Sequence, residues 1–241
     1  MLAFEGWNDA GESASWAARF LRDAGPAREV DTLDLEPLVD LTVTRPSLHR
    51  DERGARRIEW PTVRFHAGDL EPGLPLLVGV GPEPHLHWRS FCDDVVAIAV
   101  RHDVRRVALL GAFLADVLYS RPVRVTGFAS DAATLERLGV ESSGYEGPTG
   151  ILGVLADALG GAGLEVVSLW AGLPHYIDAS PNPRGTLALV EKATQWLGAA
   201  VDDRALCDAA TGFEARISAL VASDPTLSEY VRQLKRRDFA Q

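Results

Sequence analysis

The chain has 241 residues, 46% hydrophobic and 24% charged, with a formal net charge of −10, enough for one α/β domain with a sizeable core or for that domain plus a helical appendage. That composition disfavours disorder, and the acidic excess opposes binding to nucleic acid or an anionic membrane, both of which need clustered cations. No apolar stretch reaches the roughly 18–20 residues that cross a bilayer and no secretory leader pattern opens the chain, so a reduced cytoplasm is expected, with Cys92 and Cys207 too far apart for a metal knuckle or redox motif.

Met1–Glu5 (MLAFE) reads as the end of a buried strand, and its abrupt start leaves open whether Met1 is the true beginning. Asp9 and Glu12 have capping-box spacing for a helix with Trp16, Phe20 and Leu21 on its apolar side. Strands are expected at Glu29–Leu35, Ile58–His66 and Leu74–Val80, and the polar, Arg-rich Pro46–Arg57 reads as an exposed hairpin or loop. From Trp88 onward, Phe91, Cys92, Val95, Val96 and Ala99 recur on one helical face. Val104–Leu114 and Val123–Phe128 are continuous apolar runs, the pattern of strands buried on both faces. Thr149–Leu159 reads as a helix, Glu165–Ala171 as a further buried strand and Thr186–Leu197 as another helix.

This alternation over about the first 200 residues predicts a three-layer α/β/α sandwich with a largely parallel sheet. After Val201 one amphipathic stripe carries Leu206, Phe213, Ile217 and Leu220. A second carries Leu227, Tyr230, Val231 and Leu234, with Asp224 and Pro225 placed to start its helix. The expected division is therefore an α/β/α domain over 1–200 and a C-terminal helical hairpin over 201–241. The basic run Lys235, Arg236 and Arg237 reads as the solvated end of the last helix.

Three connectors rich in Gly, Pro or Asn lead into helices: GWNDAG (Gly6–Gly11), YEGPTG (Tyr145–Gly150) and LPHYIDASPNP (Leu173–Pro183). Such junctions carry sites on α/β scaffolds. The first contributes Gly6, Trp7, Asn8 and Asp9 beside Glu5 as binding candidates; the competing structural reading makes Asp9 a cap, gives the glycines to the turn and anchors Trp7 in the core. The second contributes Tyr145, Glu146 and Thr149. Gly147–Pro148 suits a helix start whose N–H groups could hold an anion, although Glu146 would repel it. The third contributes His175, Tyr176 and Asn182, the last with Pro183 as a cap and first-turn pair. His175 suits acid/base work but has no identifiable acid or nucleophile beside it.

No catalytic set is assigned. There is no G-x-S-x-G elbow and no Walker A lysine. Gly79 and Gly81 supply only two glycines of a dinucleotide fingerprint before Pro82–Pro84 interrupt it. His85, His87 and Cys92 lack a further ligand at metal-binding spacing. Neither metal nor cofactor is expected.

Taken together, GWNDAG, YEGPTG and the run from WAGLPHY (Trp170–Tyr176) to SPNP (Ser180–Pro183) resemble the PAC2 family, the proteasome assembly chaperone 2 family, in its actinobacterial form, over roughly residues 2–200. The resemblance implies a fold similar to purine nucleoside phosphorylases and a homo-oligomer, for which a trimer is the form expected. It also implies, from archaeal and eukaryotic members, a chaperone that acts on proteasome α subunits. Two positions depart from the family pattern. The chain ends in Phe239, Ala240 and Gln241 where docking chaperones carry a penultimate tyrosine. It also has Asp116-Val117-Leu118-Tyr119-Ser120-Arg121-Pro122 where relatives tend to have Asp-Val-Pro-His-Thr-Arg-Pro. The resulting expectation is a non-enzymatic assembly chaperone or scaffold, with a nucleoside- or phosphate-type binder or enzyme on a phosphorylase-like fold as the alternative.

Overall fold

The apolar run Val104–Leu114 and the strand at Glu165–Ala171 lie in the middle of the sheet, whereas Val123–Phe128, read as buried on both faces, lies next to its edge with Phe128 half exposed. The computed structural model describes residues 1–238. The first half contains β1 (Leu2–Glu5), α1 (Ser13–Asp23), β2 (Ala27–Asp34), β3 (Ser47–Arg50), β4 (Arg56–Glu59), β5 (Thr62–Glu71), β6 (Leu74–Pro82) and α2 (Trp88–Arg101). The second half contains β7 (Arg106–Ala115), β8 (Val125–Ala129), α3 (Ala132–Leu138), β9 (Glu141–Ser142), α4 (Ile151–Gly161), β10 (Glu165–Pro174), α5 (Pro183–Leu197), α6 (Arg204–Ser223) and α7 (Pro225–Asp238).

Eight strands make one sheet in the order β2-β5-β6-β1-β7-β10-β8-β9, and β3 and β4 form a separate two-stranded ribbon from the polar segment read as an exposed hairpin. The four central strands β6, β1, β7 and β10 are parallel. On one flank β5 and β2 run antiparallel; on the other, β8 runs antiparallel to β10. The sheet is therefore mixed, less parallel than the alternating pattern predicts, and connection length explains it. Only Pro72 and Gly73 separate β5 from β6, which permits a hairpin but no crossover helix. Pro61, which cannot donate to a ladder, splits the run read as one strand over 58–66 into β4 and β5.

Helices cover both faces, as the buried runs require. On one side α1 and α5 pack through Ala14, Ala17, Ala18 and Leu21 against Leu189, Val190 and Ala193. A Cβ at Gly185 would lie 2.4 Å from the Ser13 Oγ, so the close approach of these two helices depends on glycine there. Trp16 and Phe20, assigned to the apolar face of α1, sit half-buried at its margin while the alanines face the sheet. On the other side α2 and α4 bury Phe91, Cys92, Val95 and Ile98 with Ile151, Leu152, Leu155 and Leu159 over Phe4, Leu109 and Val166, each full burial of a large side chain contributing about 1.5–3 kcal/mol.

The C-terminal hairpin forms as expected. Asp224 starts α7, accepting from the Thr226 and Leu227 N–H groups at 2.8 and 3.0 Å. Phe213, Ile217 and Val221 of α6 and Val231 and Leu234 of α7 close a third apolar cluster over Leu118 and Ile177, at the carboxyl end of the parallel strands. Leu220, placed on the stripe by periodicity, is half exposed, and Val221 takes the buried position. The final Phe239-Ala240-Gln241 lies outside the described residues.

Candidate functional site

The GWNDAG connector leaves β1 at its carboxyl end and is tied to both of the others. Gly6 turns the chain at φ 119°, a conformation that favours glycine. Asn8 and Asp9 then bridge to β7, with the Ala112 N–H donating to the Asn8 carbonyl at 2.8 Å. The Asp9 Oδ1 accepts from the Ala14 and Ser15 N–H groups at 2.7 and 3.1 Å, so it caps α1 as its structural reading requires. The reciprocal half of the capping box does not form. Glu12 sits in left-handed backbone at φ 52°, and its carboxylate accepts from the Ser180 hydroxyl of the third connector at 2.7 Å. Burial pushes the Asp9 carboxyl above its ordinary range, against the pull of hydrogen bonds from Ser15 and Ala14. Glu5 pairs with Arg19 of α1.

Toward α4 the same connector meets YEGPTG. Asn8 is 0% exposed, and among the described residues neither its Oδ1 nor its Nδ2 has a partner. It lies against Gly150, where an added Cβ would stand 2.7 Å from the Asn8 Oδ1 and 3.1 Å from the Trp7 ring. Trp7 is 73% exposed, so it does not anchor the loop in the core; its indole covers the α4 end from outside. Gly147 and Pro148 stand ahead of the helix start, because α4 begins at Ile151 with Gly150 as its cap residue. A carboxylate from the end of β6 already faces this terminus: Glu83 Oε1 accepts from the Ile151 N–H at 3.5 Å. The position read as a possible anion site is thus answered by the protein's own anion. Tyr145 is exposed and donates its hydroxyl to the Pro148 carbonyl at 2.9 Å, Glu146 is exposed, and Thr149 lies beside Gly153 in the first turn.

The third connector divides between two tasks. Asn182 is buried and caps α5, its Oδ1 accepting from Arg184 and Gly185 N–H groups at 3.1 and 3.2 Å, with Pro183 in the first turn as predicted. Its own N–H donates to the Gly11 carbonyl at 2.8 Å, locking it to the first connector. His175 does have an acid beside it, contrary to the sequence reading: Asp116 Oδ1 lies 3.4 Å from its Nε2, and the Tyr230 hydroxyl 3.3 Å away donates to that same Oδ1 at 3.2 Å. Tyr176 accepts from the Tyr119 N–H at 2.9 Å and donates to the Val117 carbonyl at 3.0 Å. Burial raises the Tyr176 phenol above its ordinary range, and desolvation followed by the hydrogen bond to Asp116 does the same to Tyr230. Sequence reasoning missed this cluster because Asp116 and Tyr230 are far from His175 along the chain. The available signals were a carboxylate directly after a buried strand and a polar ring on an amphipathic stripe.

All three connectors therefore meet at one end of the sheet, but they do not pool their side chains. A cavity of about 650 Å³ at that end is walled by the β7–β8 connector, α5 and α7 and contains none of Glu5, Asn8, Asp9, Glu146, Thr149, His175 or Asn182. Among the described residues no group of three His, Cys, Asp or Glu side chains could hold a metal ion. His85 instead accepts from the Asp40 N–H at 2.9 Å, and burial pushes the Cys92 thiol up to about 11.

The fold has counterparts among known proteins. The model of the PAC2 family matches residues 3–221, reaching past the α/β body into α6. A proteasome-assembly chaperone homologue from Mycobacterium tuberculosis is 38% identical over 95% of this chain and 98% of its own, with a TM-score of 0.86. A PAC2 family protein from Streptomyces avermitilis is also 38% identical, over 95% of this chain and 97% of its own, with a TM-score of 0.86. An archaeal homologue of proteasome-assembly chaperone from Pyrococcus furiosus shares the fold at 19% identity and a TM-score of 0.62, over 91% of this chain and 90% of its own. No curated protein matches the chain. With the family model spanning nearly the whole α/β body and two solved relatives superposing end to end, the chain belongs to the PAC2 family.

Proposed function

We propose that the protein is a non-enzymatic assembly chaperone or scaffold that works in the cytoplasm through protein–protein contacts, as a homo-oligomer and on proteasome α subunits. Membership of the PAC2 family and the likeness to a proteasome-assembly chaperone homologue support this reading. The observation that carries it is an aromatic face left uncovered by the helices. On the α2/α4 side, Trp170 of β10 lies flat over Gly111, with the Phe113 ring 6.5 Å away. Phe128 stands on the same face of β8, opposite Ser168. Phe113 is 38% exposed and Phe128 53%. Large aromatic side chains gathered on an open sheet face bring apolar area and little flexibility to an interface, which is how contact surfaces gain affinity.

Size-exclusion chromatography with light scattering, alone and after co-expression with proteasome α subunits, tests the reading. The wild-type chain should run as an oligomer and co-elute with α subunits, and Phe113→Ser with Phe128→Ser should abolish at least one association while leaving the thermal melt cooperative. A wild-type chain that stays monomeric at tens of micromolar and forms no complex with α subunits would sink the proposal.

A further inference from the structure

The 650 Å³ cavity at the carboxyl end of β7 and β10 falls within the size range of small-molecule sites, about 300–1,000 Å³. Its lining is unusual for a chain of net charge −10. Among the described residues its lining includes four arginines, Arg121, Arg124, Arg184 and Arg237, and one carboxylate residue, Asp116, which is itself engaged by His175 and Tyr230. The arginines come from separate elements: Arg121 and Arg124 from the β7–β8 connector, Arg184 from the first turn of α5, and Arg237 from the last turn of α7.

The cavity wall is held in place by polar ties. Tyr176 clamps the connector at Val117 and Tyr119, and the Gly172 N–H donates to the Arg124 carbonyl at 3.0 Å. The Arg184 side chain, 15% exposed, donates to the Arg121 carbonyl at 2.6 Å and lies 3.5 Å from Glu214. Arg124 faces Glu141 at 3.7 Å, but both are mostly exposed, and such pairs are worth little and exchange readily. The amino end of α5 adds positive potential to the same wall.

We propose that this cavity binds a small phosphate-bearing anion. Guanidinium forks recognise both carboxylates and phosphates. A planar carboxylate is met from one edge, whereas tetrahedral phosphate oxygens accept from cations approaching on several sides, and here they approach from three elements. The apolar lining of Val117, Leu118, Val123 and Leu234 would cover an organic portion. This inference is independent of the protein-contact reading, since no residue of the aromatic face lines the cavity.

Isothermal titration of the full chain with inorganic pyrophosphate tests it, with citrate as the carboxylate comparison. Arg124→Gln and Arg237→Gln remove charge at exposed positions without disturbing the core, and Arg101→Gln on α2 serves as a control. Pyrophosphate should bind the wild type, more weakly as salt rises; each cavity variant should lose about tenfold in affinity, in keeping with a charge-assisted contact, and the control none. Three results would overturn the site: no pyrophosphate binding at about 1 mM, which corresponds to a Kd weaker than that level; equal affinity in the cavity variants; or an equal loss in the control. Citrate binding as tightly as pyrophosphate would overturn the assignment to phosphate. Loss of binding with the oligomer intact, or the reverse, tells failure of this inference from failure of the chaperone reading.

Discussion

Replacing Asn8 with leucine should make the protein more stable. Its carboxamide is fully buried against Gly150 with no partner for either polar atom among the described residues, and a buried amide left unpaired costs about 1–3 kcal/mol. Leucine has the same number of side-chain heavy atoms and no polar ones, so Asn8→Leu removes that penalty. Part of the gain is offset because the Asn8 Oδ1 lies close to Gly150, where little room remains, and a methyl group is larger; a net gain of about 1–2 kcal/mol remains. At about 2.1 cal/mol/K per residue the unfolding entropy of this chain is about 0.5 kcal/mol/K, so Tm should rise by about 2–4 °C. Calorimetry and urea melts with an unchanged m-value measure it. A fall in Tm of 2 °C or more would refute the reasoning, because it would mean that the amide is satisfied by a bound water or ligand and contributes stability. Asn8→Asp gives the opposite control: it buries a charge near Glu83 and Asp9 and should destabilise strongly.

Asn182→Ala removes the acceptor for two N–H groups at the start of α5 and should lower stability by about 1–2 kcal/mol, read in the same melts. For Asp9, burial raises the folded-state pKa above the unfolded one, so the native protein binds more protons there and wild-type stability falls as pH rises through the raised value. Asp9→Asn keeps an oxygen to cap α1 and should be the more stable protein at pH 7, an advantage that shrinks as pH drops through the carboxylate range; a stability difference independent of pH would contradict it. Gly111→Ala places a Cβ 2.6 Å from the Trp170 indole and should cost about 1–3 kcal/mol while displacing the ring from the aromatic face, seen as a shift in tryptophan emission. Tyr230→Phe removes the hydroxyl shared with Asp116 and His175, and hydrogen exchange should accelerate in α7 before it does in the sheet.

What could be read from the sequence was local. The buried strands announce themselves because Val104–Leu114 and Glu165–Ala171 are apolar without alternation, and Asn182-Pro183 and Asp224-Pro225 mark helix starts through chemistry confined to a few residues. Pairing direction was not legible, because it depends on which strands lie side by side: β8 follows β7 in the chain yet pairs with β10. The helix α3 was missed although Asp131 caps it and Gly139 ends it at φ 58°; seven residues carry too little periodicity to stand out. Trp7 was misplaced because an aromatic residue in a glycine turn gives no indication of which side of the loop it occupies. The Asp116–His175–Tyr230 cluster and the four cavity arginines were invisible for one reason, that each group is assembled from segments more than fifty residues apart.

The polar residues of the connectors are largely consumed by architecture. Asp9 and Asn182 are spent on helix caps, Glu83 on the α4 terminus, Glu12 on Ser180 and Glu5 on Arg19. A general acid or base must keep a titratable group free to face substrate, and a nucleophile needs a base within hydrogen-bond reach. Each of these groups already has the partner that fixes its role. Beside these connectors stand the His175–Asp116–Tyr230 cluster, the aromatic face on the α2/α4 side and the arginine-lined cavity by α7. The aromatic face is the surface proposed for a protein partner and the cavity the site proposed for an anion. The three connectors are thus fittings that lock one another together, while the surfaces proposed for recognition lie beside them, on residues such as Phe128 and Arg237 that no connector contains.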